Sequence, residues 1–490
     1  MDYGQLCIKL LFVSRTRMDP IRIYCLTGAS VENVLDSVVA ALLADKNRKF
    51  IYVEQAFFQR WWRQQSEAVQ KIVKELVDSG QLEFINGGMC MHDEATTHYI
   101  DMIDQTTLGH RFIKEEFGKT PRIGWQIDPF GHSAVQAYLL GAEVGFDSLY
   151  FWRIDYQDRA KRKDDKSLEV VWRGSKAFGS SAQIFTGIFP GSYGPPDGFS
   201  FEVDDDSLIV QDDVLLFDYN VQERVNDFVA AALSQSPKGV PTAEMMIDKD
   251  NMNQHANKDK DHLTSQMDKL IHYVNMDGRV NALYSTPSIY TDAKYATNES
   301  WPLKGDDFFP NMLQRLPCIT SVLATPADMK GDMGDARQLE FLRGKNSSGP
   351  TTDSLADALA IAQHHDAVTG TEKQHVANDY AKRLSIGYTE CPLLNITYCP
   401  PSEADLSQGK SLVVVIYNSL GWNREDIVRI PLSQHETSKA VVDSHSDPTA
   451  IQHATLIPLT YPSAPNWIRY SIVKRLACLT RLKPDSFAQD

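Results

Sequence analysis

Residues 122–133 read RIGWQIDPFGHS. Ile123, Trp125 and Ile127 make a short apolar run that ends abruptly in Asp128-Pro129, and Gly131 follows two residues later. A run of this length closed by Pro and Gly predicts a buried strand entering a forced turn. The pattern repeats on both sides. Residues 50–53 (FIYV) form a strand-like run ending in Glu54, and residues 82–85 form another ending at Asn86-Gly87-Gly88. Between them a helix starts at Ser66. It places Val69, Ile72, Val73, Leu76 and Val77 on one face and stops at Gly80. Residues 100–117 are helical up to Gly118, and residues 148–152 make the next strand. Strand, helix, strand in this rhythm predicts an α/β fold with a parallel sheet or barrel. In such folds chemistry collects where strands end, so Asp128 is placed to act as a nucleophile or metal ligand. The same spacing suits an aspartate that starts a turn or caps the next helix.

The chain has 490 residues, enough for about three domains. Its formal net charge is −15. Phosphate backbones repel such a surface, which argues against nucleic acid as a partner. No stretch approaches the roughly 18 consecutive apolar residues of a membrane span. Hydrophobic residues at 42% and charged residues at 23% are those of an ordinary globular chain.

Two further motifs carry candidate chemistry. In residues 363–371 (QHHDAVTGT), His365 projects from the apolar face of a helix read over residues 349–365, with Asp366 beside it. An imidazole held by an acceptor on one nitrogen can ligate a metal with the other, although a satisfied core histidine fits the spacing too. The loop Asn86 to Glu94 (NGGMCMHDE) follows a strand, so its acidic pair can reach the same rim or can cap the turn at Ala95 and Thr96. Aromatics are dense nearby: Phe57, Phe58, Trp61, Trp62, Trp125, Phe130, Tyr150, Phe151, Trp152 and Tyr193. Most belong in the core, and a few suit the apolar face of a sugar ring.

Elsewhere the signals are plainer. Residues 158–166 (DRAKRKDDK) read as a solvated charged run, and Asp204, Asp205, Asp206, Asp212 and Asp213 as a solvated acidic patch. Residues 238–265 are polar with little apolar periodicity. Residues 412–417 and 426–432 read as strands of a β domain. Residues 6–13 (LCIKLLFV) are apolar but broken by Lys9, which is a poor secretory signal. Sequons at Asn298, Asn346 and Asn395, and a Cys391–Cys399 pair close enough for a local disulfide, point instead toward the secretory route.

WQIDPFGHS and QHHDAVTGT together resemble the glycoside hydrolase family 38 α-mannosidases. IYVEQAFFQRWW (51–62), GGMCMHDEATTHYIDMIDQTTLGHRF (87–112) and SLYFWRIDYQD (148–158) resemble the same family, most closely its plant, lysosomal-type acid members. The resemblance implies a barrel-like α/β catalytic domain over residues 1–305, a three-helix bundle over 306–400 and a truncated all-β domain over 405–490. It implies a retaining hydrolase of terminal α-D-mannose in mannose-containing glycans, with a zinc cofactor. Asp128 would be nucleophile and zinc ligand, and His365 a zinc ligand. Asp366 would bind substrate hydroxyls. Phe130, Arg153 and Tyr193 would line the sugar site. The family also implies residence in a vacuole or lysosome, or outside the cell.

The chain departs from the family in three blocks. The opening strand with its histidine–aspartate zinc pair has no counterpart, because no histidine precedes His92. The block with the acid/base aspartate is replaced by the polar stretch 238–265, where Asp248 and Asp250 are the nearest substitutes. An aromatic helical segment is replaced by residues 310–335, and Met89 stands where the family has Trp. An alternative reading is therefore an impaired remnant or splice form.

Overall fold

The structure is a computed structural model that describes residues 6–13, 30–191, 194–199, 201, 208–235, 242–248, 260–308, 352–390, 414–416, 426–431, 457–459, 467–472 and 476–478. They fall into two units, one of Met1–Ala324 with Asp357–Lys382, the other of Thr325–Ala356 with Arg383–Asp490.

The first unit bears out the α/β expectation. Its strands are β1 (Leu6–Val13), β2 (Phe50–Tyr52), β3 (Leu82–Phe84), β4 (Ile123–Trp125), β5 (Ser148–Phe151), β6 (Glu169–Arg173), β7 (Gln183–Ile188), β8 (Thr242–Asp248), β9 (Val280–Ser285) and β10 (Leu303–Lys304). Its helices are α1 (Ser30–Ala44), α2 (Gln55–Gln64), α3 (Glu67–Asp78), α4 (Tyr99–Phe117), α5 (Ala134–Tyr138), α6 (Tyr156–Asp165), α7 (Val221–Gln235), α8 (Lys260–Asp277) and α9 (Pro287–Ala296). α10 (Asp353–Ala362) and α11 (Gln374–Glu390) each have residues in both units.

One sheet runs β3-β2-β1-β8, with β9 also paired to β1, and every pair in it is parallel. The other runs β10-β6-β7-β5-β4 and is parallel except for β6 against β7. Asn86 stitches the end of β3 to β4. Its N–H donates to the Ile123 carbonyl at 2.6 Å, and its side-chain oxygen accepts from Trp125 N at 3.2 Å. β2, β3, β4 and β5 therefore run one way, and their C-terminal ends make a common rim.

Local chemistry explains the helices that frame this rim. Ser66 caps α3 by accepting from Val69 N, and Gly118 ends α4 in the left-handed region. Phe58, Trp62, Phe84 and Phe117 pack ring against ring beneath the first sheet, Phe58–Phe84 edge-on at 4.9 Å. Of the aromatics named above, Phe57, Phe58, Trp61, Trp62, Trp125, Tyr150 and Phe151 are core, while Phe130 and Trp152 are half-buried.

The position of α4 is set by contact without side chains. A Cβ on Gly109 would lie 2.0 Å from the Gly87 carbonyl oxygen, so the helix rests directly on the loop after β3. Gly109→Ala should force the two apart and destabilise the unit by roughly 2–3 kcal/mol. Thermal unfolding followed by circular dichroism checks this, and an unchanged Tm would contradict it.

One expectation is corrected. The helix read over 349–365 spans Asp353–Ala362 among the described residues, and the two histidines lie in the turn beyond it. Hydrogen bonds to the loop after β3 take over the backbone there. Residues 6–13 form a strand, whose Leu6–Leu11 stretch pairs with β9 and whose Cys7–Val13 stretch pairs with β8. Part of the polar stretch 238–265 forms β8 and the start of α8. The charged run 158–166, expected to be solvated, lies in α6 up to Asp165 with Lys166 as its cap, and α6 has no buried residue.

In the second unit, β11 (Val414–Ile416) pairs antiparallel with β15 (Leu476–Cys478), and β14 (Trp467–Ile472) lies antiparallel between β12 (Asp426–Pro431) and β13 (Ile457–Leu459). The strands expected at 412–417 and 426–432 are thus present. No described helix is long and apolar enough to cross a membrane.

Candidate active site

Four strand ends supply the rim: Glu54 after β2, residues 86–94 after β3, Asp128 after β4 and Arg153 after β5. Asp128 is 5% exposed. Arg153 Nε lies 2.5 Å from Asp128 Oδ1 and 2.9 Å from the Asp128 carbonyl oxygen, and a second guanidinium nitrogen lies 2.5 Å from Oδ1. A carboxylate gripped this way is fixed in direction. Its other oxygen, Oδ2, faces His365 Nε2 at 3.6 Å. That is an ion-pair distance but too long for a hydrogen bond.

His365 is 3% exposed. Its Nδ1 lies 2.8 Å from the Met91 carbonyl oxygen, which also accepts from His365 N at 3.2 Å. With Nδ1–H donating, the neutral ring presents the Nε2 lone pair, a metal-ligating atom, on the side of Asp128. Burial pulls the His365 pKa down. Asp128, Asp366 and the Met91 carbonyl together outweigh burial, and the net direction is upward.

Asp366 Oδ1 accepts from the Thr371 hydroxyl at 2.7 Å, which fixes this half-buried carboxylate next to the two histidines. His364, His365 and Asp366 bring ligand atoms within 4.8 Å of one another, a possible metal-holding group. Phe130 meets the His365 ring edge-on at 6.1 Å and carries the Arg153 guanidinium over its face at 4.9 Å. The structure therefore gathers Asp128, Phe130, Arg153, His365 and Asp366 around one point. Tyr193, Asp250, His255 and the acidic residues 204–206 lie outside the described residues, as do Cys391, Cys399, Asn346 and Asn395. Asp248 is the last residue of β8 and pairs in register with Val13. Asp212, from the same acidic patch, is held by Lys269 at 2.6 Å, which lowers its pKa.

The loop after β3 splits the two readings given for it. Asp93 caps the next turn, accepting from Ala95 N and Thr96 N at 3.0 and 2.7 Å. Glu94 instead reaches the loop after β4, with Oε1 at 2.9 Å from His132 Nδ1 and Oε2 accepting from Ser133 N at 2.9 Å. Glu54 accepts from Met91 N at 2.8 Å. His92 is buried among amides, its Nδ1 accepting from Gln105 at 2.9 Å, and burial lowers its pKa. The Met91 carbonyl was not expected from the sequence, since a loop carbonyl carries no motif of its own.

The Glycosyl hydrolases family 38 N-terminal domain matches residues 18–312, and the Alpha mannosidase middle domain matches residues 324–395. An α-mannosidase of Arabidopsis thaliana is 64% identical over 444 residues, covering 83% of this chain and 43% of the relative. An α-mannosidase of Canavalia ensiformis is 53% identical, covering 88% of the chain and 47% of the relative. The lysosomal α-mannosidase of Bos taurus is 41% identical, covering 83% and 44%. The chain thus spans under half the length of these curated relatives. Among solved structures, an α-mannosidase of Enterococcus faecalis matches with a TM-score of 0.61 at 14% identity, over 98% of this chain and 55% of that one, a likeness of fold. With a domain match over more than half its length, the chain belongs to glycoside hydrolase family 38.

Proposed function

We propose that the chain carries the chemistry of a retaining α-mannosidase acting on terminal, non-reducing α-D-mannose of N-glycans and oligomannosides. The observation that supports this most is the facing of Asp128 Oδ2 and His365 Nε2 at 3.6 Å on the strand-end rim. Asp128 would attack the anomeric carbon while the leaving oxygen is protonated, and water would then cleave the glycosyl ester. Arg153 keeps Asp128 aimed. Phe130 offers an apolar face to the sugar ring. Asp366, oriented by Thr371, accepts from sugar hydroxyls. The acid/base carboxyl belongs to the block in which this chain departs from its family, with Asp248 at the end of β8 as the nearest substitute.

The donor set suits a zinc ion in part. Asp128 Oδ2 and His365 Nε2 supply oxygen and nitrogen ligands, and the Met91 carbonyl holds the second histidine nitrogen as metal-bound imidazoles require. Bound there, zinc would polarise and orient the sugar hydroxyls. A catalytic zinc takes about three protein ligands, and among the described residues two face each other at this point. That observation favours a second reading, in which the chain is an impaired form with reduced turnover.

Purified protein should release p-nitrophenol from p-nitrophenyl α-D-mannoside at acidic pH, with α-mannose as the first sugar product. First release of β-mannose would contradict retention. Release no faster than in buffer would overturn the catalytic reading in favour of the impaired one.

We also propose a secretory destination, in vacuole, lysosome or outside the cell. Asn298 supports it, because its sequon is exposed just past the end of α9. Protein from its native source should shift in mass at Asn298 on N-glycan removal. Unmodified Asn298, Asn346 and Asn395 together would contradict this destination.

A further inference from the structure

Residues 91–94 bind both halves of the site, with groups that the proposed chemistry does not consume. Toward one half, Met91 O accepts two bonds from His365, Asp93 N donates to the Gln363 carbonyl at 2.9 Å, and His92 forms a β-bridge with His364. Toward the other half, the His92 ring meets the Gln126 amide at 3.3 and 3.4 Å, and Glu94 reaches the turn beyond it. Glu94 is 6% exposed, and its carboxylate spans His132 Nδ1 and Ser133 N at 2.9 Å each. These partners lie in the turn that begins with Asp128.

We propose that Glu94 is a positioning residue for Asp128, holding the 128–133 turn so that the Asp128 carboxylate faces His365. The proposal deepens, and rests on, the reading of Asp128 and His365 as one centre. His132 is a firm anchor for this purpose. Its ring stacks on Phe151 with centroids 3.8 Å apart, and its backbone exchanges hydrogen bonds with Phe308 at 2.9 and 3.0 Å. Glu94 has both oxygens engaged, so its role is geometric. A buried bidentate acceptor of this kind loses its effect only when both bonds cannot be kept.

That distinction gives the test. Glutamine at 94 can still accept from Ser133 N through its oxygen. Its amide can donate to His132 Nδ1 if the imidazole moves its proton to Nε2, an atom that has no partner in the structure. Alanine keeps neither bond. Hydrogen exchange is measured in the full 490-residue chain for the wild type, Glu94→Gln and Glu94→Ala. In Glu94→Ala, exchange over residues 130–136 should rise at least about tenfold while α3 stays unchanged, and in Glu94→Gln it should stay within about threefold of wild type. Turnover of p-nitrophenyl α-mannoside should follow the same order. The alanine variant should lose roughly 10–100-fold in kcat with KM nearly constant, and glutamine should recover most of that loss.

Unchanged exchange in Glu94→Ala overturns the proposal whatever the turnover. Equal losses in both variants overturn it too, because the carboxylate would then be needed for its charge or proton. Should wild type and Asp128→Asn turn over equally, the reading of Asp128 as the nucleophile fails, and the exchange result still decides on Glu94. If Glu94→Ala does not fold, His132→Phe keeps the stacked ring but removes Nδ1. It must then show the same acceleration over residues 130–136, and its absence would overturn the proposal.

Discussion

Asp128→Asn should lower α-mannoside turnover by at least about three orders of magnitude, because an amide cannot form the glycosyl ester. The substitution keeps the volume and both polar atoms, so the loss is chemical. It has a structural component of known direction. Asp128 and Arg153 side chains are 7% and 21% exposed, and a neutral partner leaves the guanidinium with weaker compensation for its burial. A modest fall in Tm is therefore expected, far too small to unfold the chain at 25 °C. Near-normal turnover in a folded Asp128→Asn protein would remove Asp128 from the role of nucleophile. The variant applies equally to these 490 residues and to a form extended to its relatives' length.

After dialysis against a chelator, the 490-residue chain should retain far less than one zinc ion. Asp128 Oδ2 and His365 Nε2 are the described donors that face one another, and the other Asp128 oxygen is held by a guanidinium whose positive charge opposes a cation. Asp366 Oδ1 is engaged by Thr371, and His364 Nδ1 accepts weakly from Asp366 N at 3.4 Å. Loss of an outer partner alone typically costs about 10–100-fold in metal affinity. Two missing ligands should cost more, at least about 10⁴-fold against a complete site. Atomic absorption on the dialysed protein checks this. One tightly held zinc per chain would contradict it, and would direct attention to His255 or His262 in the segment that replaces a family block.

Much of the rim was legible in the sequence. The strands ending at Glu54, Asn86, Asp128 and Trp152 read as short apolar runs, two of them closed by the turn signals Asn86-Gly87-Gly88 and Asp128-Pro129. The helices beginning at Ser66 and ending at Gly118 carried their caps in plain view. β1 was not legible, because Lys9 interrupts its apolar run and its stability comes from pairing with β8 and β9, which lie over 200 residues away. β8 was hidden in the same way, since Glu244 and Asp248 give its segment a polar composition. Asp128, His365 and Asp366 were found because motifs mark them. Glu94 was only half found. Spacing showed that the acidic pair could cap a turn or reach the rim. It took the tertiary contacts to assign the first role to Asp93 and the second to Glu94.

The central claim is that Asp128 forms the covalent bond to the sugar at a centre shared with His365. An activated fluoromannoside that forms the glycosyl-enzyme but releases it slowly tests this directly. After incubation, digestion and mass spectrometry should find one mannosyl-sized adduct on the peptide bearing Asp128, and none in Asp128→Asn. An adduct on Asp248, on Asp366 or on any other carboxylate would contradict the account.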